Sequence, residues 1–282
     1  MPERSQYSFW GALRVFSLAV ALISCGLGIR LGWDASDPNY TLALLVLLGG
    51  VLAQAGMNLI NDTEDLYQDK VGSITEQSKK RISRNQQSGW ISFGLAALIG
   101  LYLVSLRGWP LFGILLGSAL LALNYNAGPL NFKHNGIAII QVFLLMGLIM
   151  VEASYFTMTG YFSGQVVWLS LPISLLISLL LLSNEIRDYD RDLYEQVRTL
   201  SVRIGLPMAR GLYWGLVTAA LVMTMVYAYM GWVNASRLAW LIPALLLLPY
   251  LNQHLYAEDR EKLTPLSGRF FLAFGAAFLY MV

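Results

Sequence analysis

The chain has 282 residues, of which 56% are hydrophobic and 13% are charged. Soluble domains carry about 25% charged residues, so this composition excludes a soluble protein built around one large core. The mean hydropathy of +0.56 and apolar runs close to the ~20 residues that a membrane-spanning helix needs indicate an integral membrane protein. The net charge of +2 gives no reason to expect a nucleic-acid partner, and the single cysteine excludes an internal disulfide.

Nine apolar stretches predict an all-α bundle of nine transmembrane helices, which we treat as one domain over residues 1–282. The distribution of Lys and Arg between the loops supports this count, since one side holds 16 of them and the other holds only Arg30, Arg107 and Arg237. Cytoplasmic loops are enriched in Lys and Arg, so the N-terminus is predicted inside and the C-terminus outside. The predicted spans are 13–32, 41–60, 90–106, 110–127, 137–158, 166–183, 211–230, 238–252 and 267–282.

Two short acidic segments, 61–69 and 184–192, contain eight of the 17 acidic residues, and each follows an apolar span on the predicted cytoplasmic side. They match at a fixed offset of 123 residues, which also pairs Lys80 with Arg203. The offset indicates an internal repeat of helix, acidic segment, basic loop and helix, with cytoplasmic loops over 61–89 and 184–210. The matched pairs are Asn61 with Asn184, Asp65 with Asp188, and Asp69 with Asp192.

If each acidic segment continues the preceding helix, Asn, Asp and Asp at i, i+4 and i+8 lie on one face, about 6 Å apart. Oxygen ligands on such a face suit Mg²⁺, and two faces could hold a diphosphate bridged by more than one metal ion. Basic residues follow each segment and could stabilise an anionic leaving group. Individually, these bases could equally serve only to set topology and contact anionic lipid.

At these residues the sequence resembles the UbiA superfamily of intramembrane prenyltransferases, which carries an N-D-x-x-D-x-x-x-D segment and a second Asp-rich segment. The second segment, N-x-x-R-D-x-x-x-D running on to R-T-L-x-x-R-x-G, is most similar to the branch that prenylates 1,4-dihydroxy-2-naphthoate in menaquinone synthesis. The resemblance implies Mg²⁺-dependent transfer of a polyprenyl chain from its diphosphate to an aromatic acceptor. It also implies a multi-pass protein of the bacterial cytoplasmic membrane whose active-site loops are cytoplasmic.

The resemblance carries the family's site onto matching residues of this chain. Metal ligation is implied for Asp65, Asp69, Asp188 and Asp192, and catalytic roles for Asp65, Asp188, Lys133 and Tyr125. Substrate binding is implied for Arg14, Asn61, Asp62, Lys80, Asn184, Arg187 and Arg198. The first acidic motif keeps the general family spacing, and Val15 and Ile139 depart from the naphthoate branch, which leaves 4-hydroxybenzoate and homogentisate open as acceptors.

Other features keep alternatives open. Tyr125, Tyr155, Phe156 and Trp168 could line a cation-stabilising pocket or simply pack. Glu152, an acid within the fifth predicted span, could be protonated, pair within the bundle or contact the acceptor. An ion-coupled secondary transporter also combines repeats with acidic residues, but its acids would lie near the membrane midplane rather than at one face.

Overall fold

The computed structural model describes residues 7–35, 39–63, 66, 74–125, 132 and 135–282, and within these ranges all regular structure is helical. In this part of the chain, eight helices, counting α1 and α2 together, are long and apolar enough to cross a membrane. The helices are α1 Phe9–Leu13, α2 Val15–Ala35, α3 Tyr40–Asn61, α4 Glu76–Arg107, α5 Trp109–Leu123, α6 Ala138–Thr159, α7 Gly164–Arg187, α8 Tyr189–Tyr194, α9 Leu200–Ile204, α10 Leu206–Tyr229, α11 Ala235–Tyr256 and α12 Leu263–Met281.

The fourth predicted span is the short one. Helix α5 has 15 residues, which at 1.5 Å per residue is about 22 Å and falls short of the ~30 Å hydrocarbon thickness. The all-α class is therefore confirmed, whereas the exact number of nine crossings stays a prediction. The eighth predicted span is present as α11, which starts as a 3₁₀-helix and contains two short α-helical pieces, each with a proline in its first turn.

The described parts of the two predicted cytoplasmic loops contain several helices. Helix α4 begins at Glu76 because the Thr75 side chain caps it, accepting from Ser78 N at 3.2 Å, and Lys79 pairs with Glu76 one turn later. After α7, the helices α8, α9 and α10 fill most of residues 189–229. At the start of α4, local capping outweighs the polar composition of the segment.

The 123-residue offset extends through the whole bundle. Shifting α2 by this offset gives 138–158, where α6 lies, and shifting α6 gives 261–282, where α12 lies. Shifting α3 gives 163–184, the position of α7, and shifting α4 gives 199–230, the position of α9 and α10 together. The second copy of α4 is divided at Gly205, which has φ +80° and is followed by Pro207. The predicted repeat is thus visible in the helix bounds.

Close contacts at glycines hold the central helices together. A Cβ on Gly28 of α2 would lie 2.3 Å from the backbone oxygen of Val151 in α6, and one on Gly147 of α6 would lie 2.2 Å from Ser174 Oγ in α7. Small residues that let backbones approach are the usual means of packing helices in lipid. Helix α12 completes the core with four fully buried phenylalanines, Phe270, Phe271, Phe274 and Phe278.

Contacts between α2 and α12 show that they run in the same direction. A Cβ on Gly275 would lie 2.8 Å from the Ile23 side chain, and one on Gly26 would lie 2.9 Å from that of Leu279. Further along, Arg30 Nη2 donates to the Val282 backbone oxygen at 3.3 Å. The starts of these two helices therefore share one face of the bundle, and their ends share the opposite face.

The three arginines predicted on the outer side all lie at the face where α2, α6 and α12 end. Each donates to backbone oxygens near a helix C-terminus: Arg30 to Val282, Arg237 to Tyr280, and Arg107 to both Thr157 and Met158. The last carbonyls of a helix lack partners within it, so these arginines satisfy groups that lipid could not. Their grouping at one face agrees with the predicted division of charge.

Candidate active site

The second acidic segment begins where α7 ends, and its backbone keeps the predicted helical register. Asp188 N bonds the Asn184 oxygen at 2.9 Å, and Asp192 N bonds the Asp188 oxygen at 2.8 Å. These successive i to i−4 bonds place Asn184, Asp188 and Asp192 one turn apart, although Asp188 itself caps α7. The predicted backbone register is therefore present, while the break at Asp188 divides the segment between α7 and α8.

The Asp188 carboxylate is surrounded by guanidinium groups. Arg187 contacts both of its oxygens, Nε to Oδ1 at 2.9 Å and Nη2 to Oδ2 at 2.7 Å, and Arg191 Nη2 lies 3.0 Å from Oδ2. Two-point contacts of this kind are the strongest pairing of Arg with a carboxylate. Asp192 and Glu261 also interact electrostatically with Arg187, so the two guanidinium groups are shared among several carboxylates. Sequence reasoning missed Arg191, whose position one turn after Arg187 was the available signal.

Asp192 lies deeper than Asp188, with 6% of its surface exposed. Thr199 Oγ1 donates to its Oδ2 at 3.4 Å, and Val197 N donates to its backbone oxygen at 2.8 Å. The adjacent Glu185 is also buried and accepts from Ser201 N at 3.0 Å, at the first turn of α9. These bonds fold the chain after α8 back against the acidic segment, which fixes both carboxylates.

The first acidic segment is described only at its beginning. Asn61 ends α3 and is half-buried, while Asp62 is buried and its Oδ1 lies 2.8 Å from Arg14 Nη2. Arg14 has left-handed backbone angles, φ 49° and ψ 58°, and separates α1 from α2. The ion pair therefore links this helix break to the acidic segment. Asp65, Asp69 and Lys133 lie outside the described residues, so their predicted roles stay predictions.

The described parts of the two acidic segments lie at the same face of the bundle. Arg14 directly precedes α2, so Asp62 lies at the face where α2 starts. Arg260 precedes α12 and donates Nε to the Ile186 oxygen at 3.0 Å, which brings the end of α7 to the face where α12 starts. These are the two helix starts that share a face. Arg260, which also pairs with Asp190, was not among the sequence candidates.

The remaining candidates differ in position. Lys80 and Arg198 are exposed, and the Arg198 backbone oxygen accepts from Arg203 Nε at 2.9 Å. Tyr125 follows α5, is half-buried and packs against the main core.

Tyr155 and Phe156 pack against Tyr161 and Phe162 near the opposite face, and Trp168 is 56% exposed. The packing interpretation therefore fits Tyr155 and Phe156, and Trp168 points outward from the bundle.

The oxygen atoms of the second segment suit a hard cation, because Asp188, Asp192 and Asn184 offer the ligands that Mg²⁺ prefers. Within the described ranges no group of three or more His, Cys, Asp or Glu residues is close enough to hold a metal ion. The second segment thus supplies two of the four predicted aspartates, and a complete site would also need the first segment.

Comparison with known proteins decides the family. The profile of the UbiA prenyltransferase family matches residues 13–275, nearly the whole chain. The chain belongs to this family. This membership favours the transferase hypothesis over an ion-coupled transporter. It also agrees with the position of the acidic residues, since the described parts of both acidic segments lie at one face of the bundle.

Two curated relatives share the name 1,4-dihydroxy-2-naphthoate octaprenyltransferase. The one from Bacillus subtilis is 25% identical over 203 residues, which are 70% of this chain and 65% of that protein. The one from Haemophilus influenzae is 25% identical over 262 residues, covering 87% of this chain and 83% of the relative. The aligned region thus spans just under two thirds of the Bacillus protein.

Among solved structures, a UbiA homolog from Archaeoglobus fulgidus bound to GPP and Mg²⁺ is similar with a TM-score of 0.64 and 16% identity. The match covers 96% of this chain and 99% of that one. At this identity the likeness establishes the fold, which is the UbiA fold over essentially the whole chain.

Proposed function

We propose that this protein transfers a polyprenyl chain from its diphosphate to 1,4-dihydroxy-2-naphthoate in a Mg²⁺-dependent reaction. The acceptor is supported by the names of both curated relatives. Mg²⁺ and a prenyl diphosphate are supported by the homolog bound to GPP and Mg²⁺. The observation that carries the proposal is the Asp188 cluster, in which carboxylate and guanidinium groups meet at the end of a buried helix.

The chemistry requires stabilisation of a departing diphosphate. In the proposed site Asp65, Asp69, Asp188 and Asp192 hold Mg²⁺, which supplies charge neutralisation when bound. Arg187 and Arg191 are placed to exchange part of their contact with Asp188 for diphosphate oxygens, and Arg14, Lys80 and Arg198 add positive charge at the same face. Asn61, Asp62 and Asn184 orient these groups. Fixed charges of this kind stabilise negative charge as the allylic C–O bond breaks.

The carbocation left behind needs an environment free of water and a nearby π-face. Helices embedded in lipid exclude water, and we assign Tyr125 to the reacting centre on the resemblance of its segment to the family. Lys133 is proposed to contact the acceptor. The electron-rich ring then attacks the prenyl carbon and, for a naphthoate, loses its carboxyl group as CO₂. We also propose that the enzyme acts in the synthesis of an isoprenoid quinone in the bacterial cytoplasmic membrane.

A direct test supplies radiolabelled farnesyl diphosphate with 1,4-dihydroxy-2-naphthoate, 4-hydroxybenzoate or homogentisate to the purified protein. Product from the naphthoate alone, lost on addition of EDTA and restored by Mg²⁺, is the expected result. Product from another ring would keep the transfer reaction and reject the acceptor. Absence of product from every ring, together with no binding of the diphosphate, would reject the proposed function.

A further inference from the structure

A groove between α5 and α6 lies outside the proposed transfer site and contains an acid that the reaction does not use. It has a volume of about 280 Å³ and is lined by five residues of α5 between Gly113 and Leu121, and by Ile149 and Glu152 of α6. All of these residues belong to apolar helices. The volume is close to the lower end of the roughly 300–1,000 Å³ of small-molecule pockets.

Only one oxygen of Glu152 is accounted for by the fold. Its Oε1 accepts from Ser163 N at 2.7 Å, at the start of α7. Its Oε2 is buried and finds no hydrogen-bond partner among the described residues. Burial of a carboxyl oxygen without a hydrogen-bond partner costs free energy. The bond from Ser163 N stabilises Oε1, whereas the cost of burying Oε2 is not offset by any such bond from the described part of the chain.

The space beside Glu152 comes from two glycines one turn apart. A Cβ built on Gly113 or on Gly117 of α5 meets nothing within 4 Å. These glycines therefore differ from Gly28 and Gly147, where the neighbouring helix fills the space. On the other side, α6 changes to a π-helix over Phe143–Ile149, immediately before the turn that carries Glu152. Such π-helical insertions are often found at functional sites.

We propose that this groove binds the phenolic head group of a membrane-soluble prenylated phenol, whose hydroxyl pairs with Glu152 Oε2. The apolar lining favours an aromatic body, and a phenolic hydroxyl can both donate and accept, so it suits the carboxyl group in either protonation state. The identity of this occupant rests on the proposed function, because a prenylated hydroquinone is the product of that reaction. The groove would then hold product at the membrane-facing side of the enzyme.

The test measures binding of radiolabelled 1-naphthol to the full-length protein in nanodiscs, with empty nanodiscs as the blank and no prenyl diphosphate present. We expect saturable binding of one molecule per chain. Glu152→Leu and Gly117→Leu should each weaken it at least about tenfold, the first by removing the acceptor and the second by filling the groove. Gly94→Leu is the matched control, since a Cβ on this α4 glycine also meets nothing within 4 Å.

Gly117→Leu keeps the test informative even if Glu152→Leu fails to fold, because the bond from Ser163 to Glu152 is left intact. Binding no greater than in empty nanodiscs, or equal binding by wild type and Gly117→Leu, would overturn the proposal. Binding lost in Asp188→Asn but kept in Gly117→Leu would place the phenol in the transfer site and also overturn it. None of these outcomes depends on turnover, so failure here is distinct from failure of the transfer assay.

Discussion

The side-chain amide of Asn58 bonds the backbone oxygen of Leu13, the last residue before the chain breaks between α1 and α2. Asn58 Nδ2 lies 2.8 Å from that oxygen and 2.6 Å from Ser17 Oγ, while its Oδ1 accepts from Gln54 at 3.1 Å. The left-handed residue at the break, Arg14, reaches Asp62 one turn beyond Asn58 on α3. Helix α3 therefore fixes both the break between α1 and α2 and the position of the Arg14 guanidinium group at that break.

Asn58→Leu should lower both thermal stability and activity. The substitution leaves the Leu13 oxygen without its donor, at a cost of about 1–3 kcal/mol, and it releases Arg14 from its position beside Asp62. We expect a lower melting temperature and a higher KM for the prenyl diphosphate. Gln54→Leu, which removes a side chain that bonds only Asn58, is the comparison and should change KM little. Equal KM values in both variants would contradict a positioning role for Asn58.

Arg14 and Asp62 should be energetically coupled. Asp62 is buried and Arg14 is half-exposed, so removal of Arg14 leaves a buried carboxylate with less compensation. A double-mutant cycle with Arg14→Met and Asp62→Asn, followed by thermal or denaturant unfolding, should give a coupling of about 0.5–3 kcal/mol. A coupling near zero would show that the pair does not contribute to folding.

Asp188→Asn should reduce the transfer rate by about 100-fold or more, because it removes a proposed metal ligand and the partner of two arginines. Asp190→Asn provides the matched control two residues away. Asp190 is largely exposed and pairs with the buried Arg260 rather than with the cluster. An asparagine there can still accept from Arg260, which also keeps its bond to the Ile186 oxygen, so the replacement should leave the rate within about twofold. Similar rates for the two variants would argue against the assignment of Asp188.

The tight glycine contacts predict opposite effects for two alanine substitutions. Gly28→Ala places a methyl group 2.3 Å from a backbone oxygen of α6, which forces the helices apart and should cost about 1–3 kcal/mol. Gly94→Ala adds the same group where nothing lies within 4 Å, and the gain in helix propensity should leave stability equal or higher by up to about 1 kcal/mol. Melting temperatures in one detergent would check both.

Much of this architecture can be predicted from the sequence because lipid imposes simple rules. Apolar runs gave the helix-forming regions, and the matched Asn and Asp residues gave the repeat and the face of the proposed site. The α4 extension to Glu76 was missed because it depends on capping by Thr75, which competes with a polar composition typical of loops. Arg260 was missed because its contacts with Ile186 and Asp190 join residues far apart in the chain. Arg191 contacts Asp188 only three residues away, and it was missed because the first segment has Gln68 at the matching position.

The agreement of helix bounds at a 123-residue offset has a topological consequence. Each repeat contains four apolar helices, which are α2 to α5 in the first, with the short α5 as the fourth, and α6, α7, α10 and α11 in the second. A Cβ on Gly28 would meet Val151 and one on Gly32 would meet Met158, so α2 and α6 run in the same direction and both copies point the same way. An even number of crossings in each repeat, with α5 as the fourth, agrees with this direction. A repeat that keeps its direction therefore brings the described parts of both acidic segments to one face of the bundle. The final helix, α12, then corresponds to the first helix of a third copy of the repeat. It packs against α2, the first helix of the first copy.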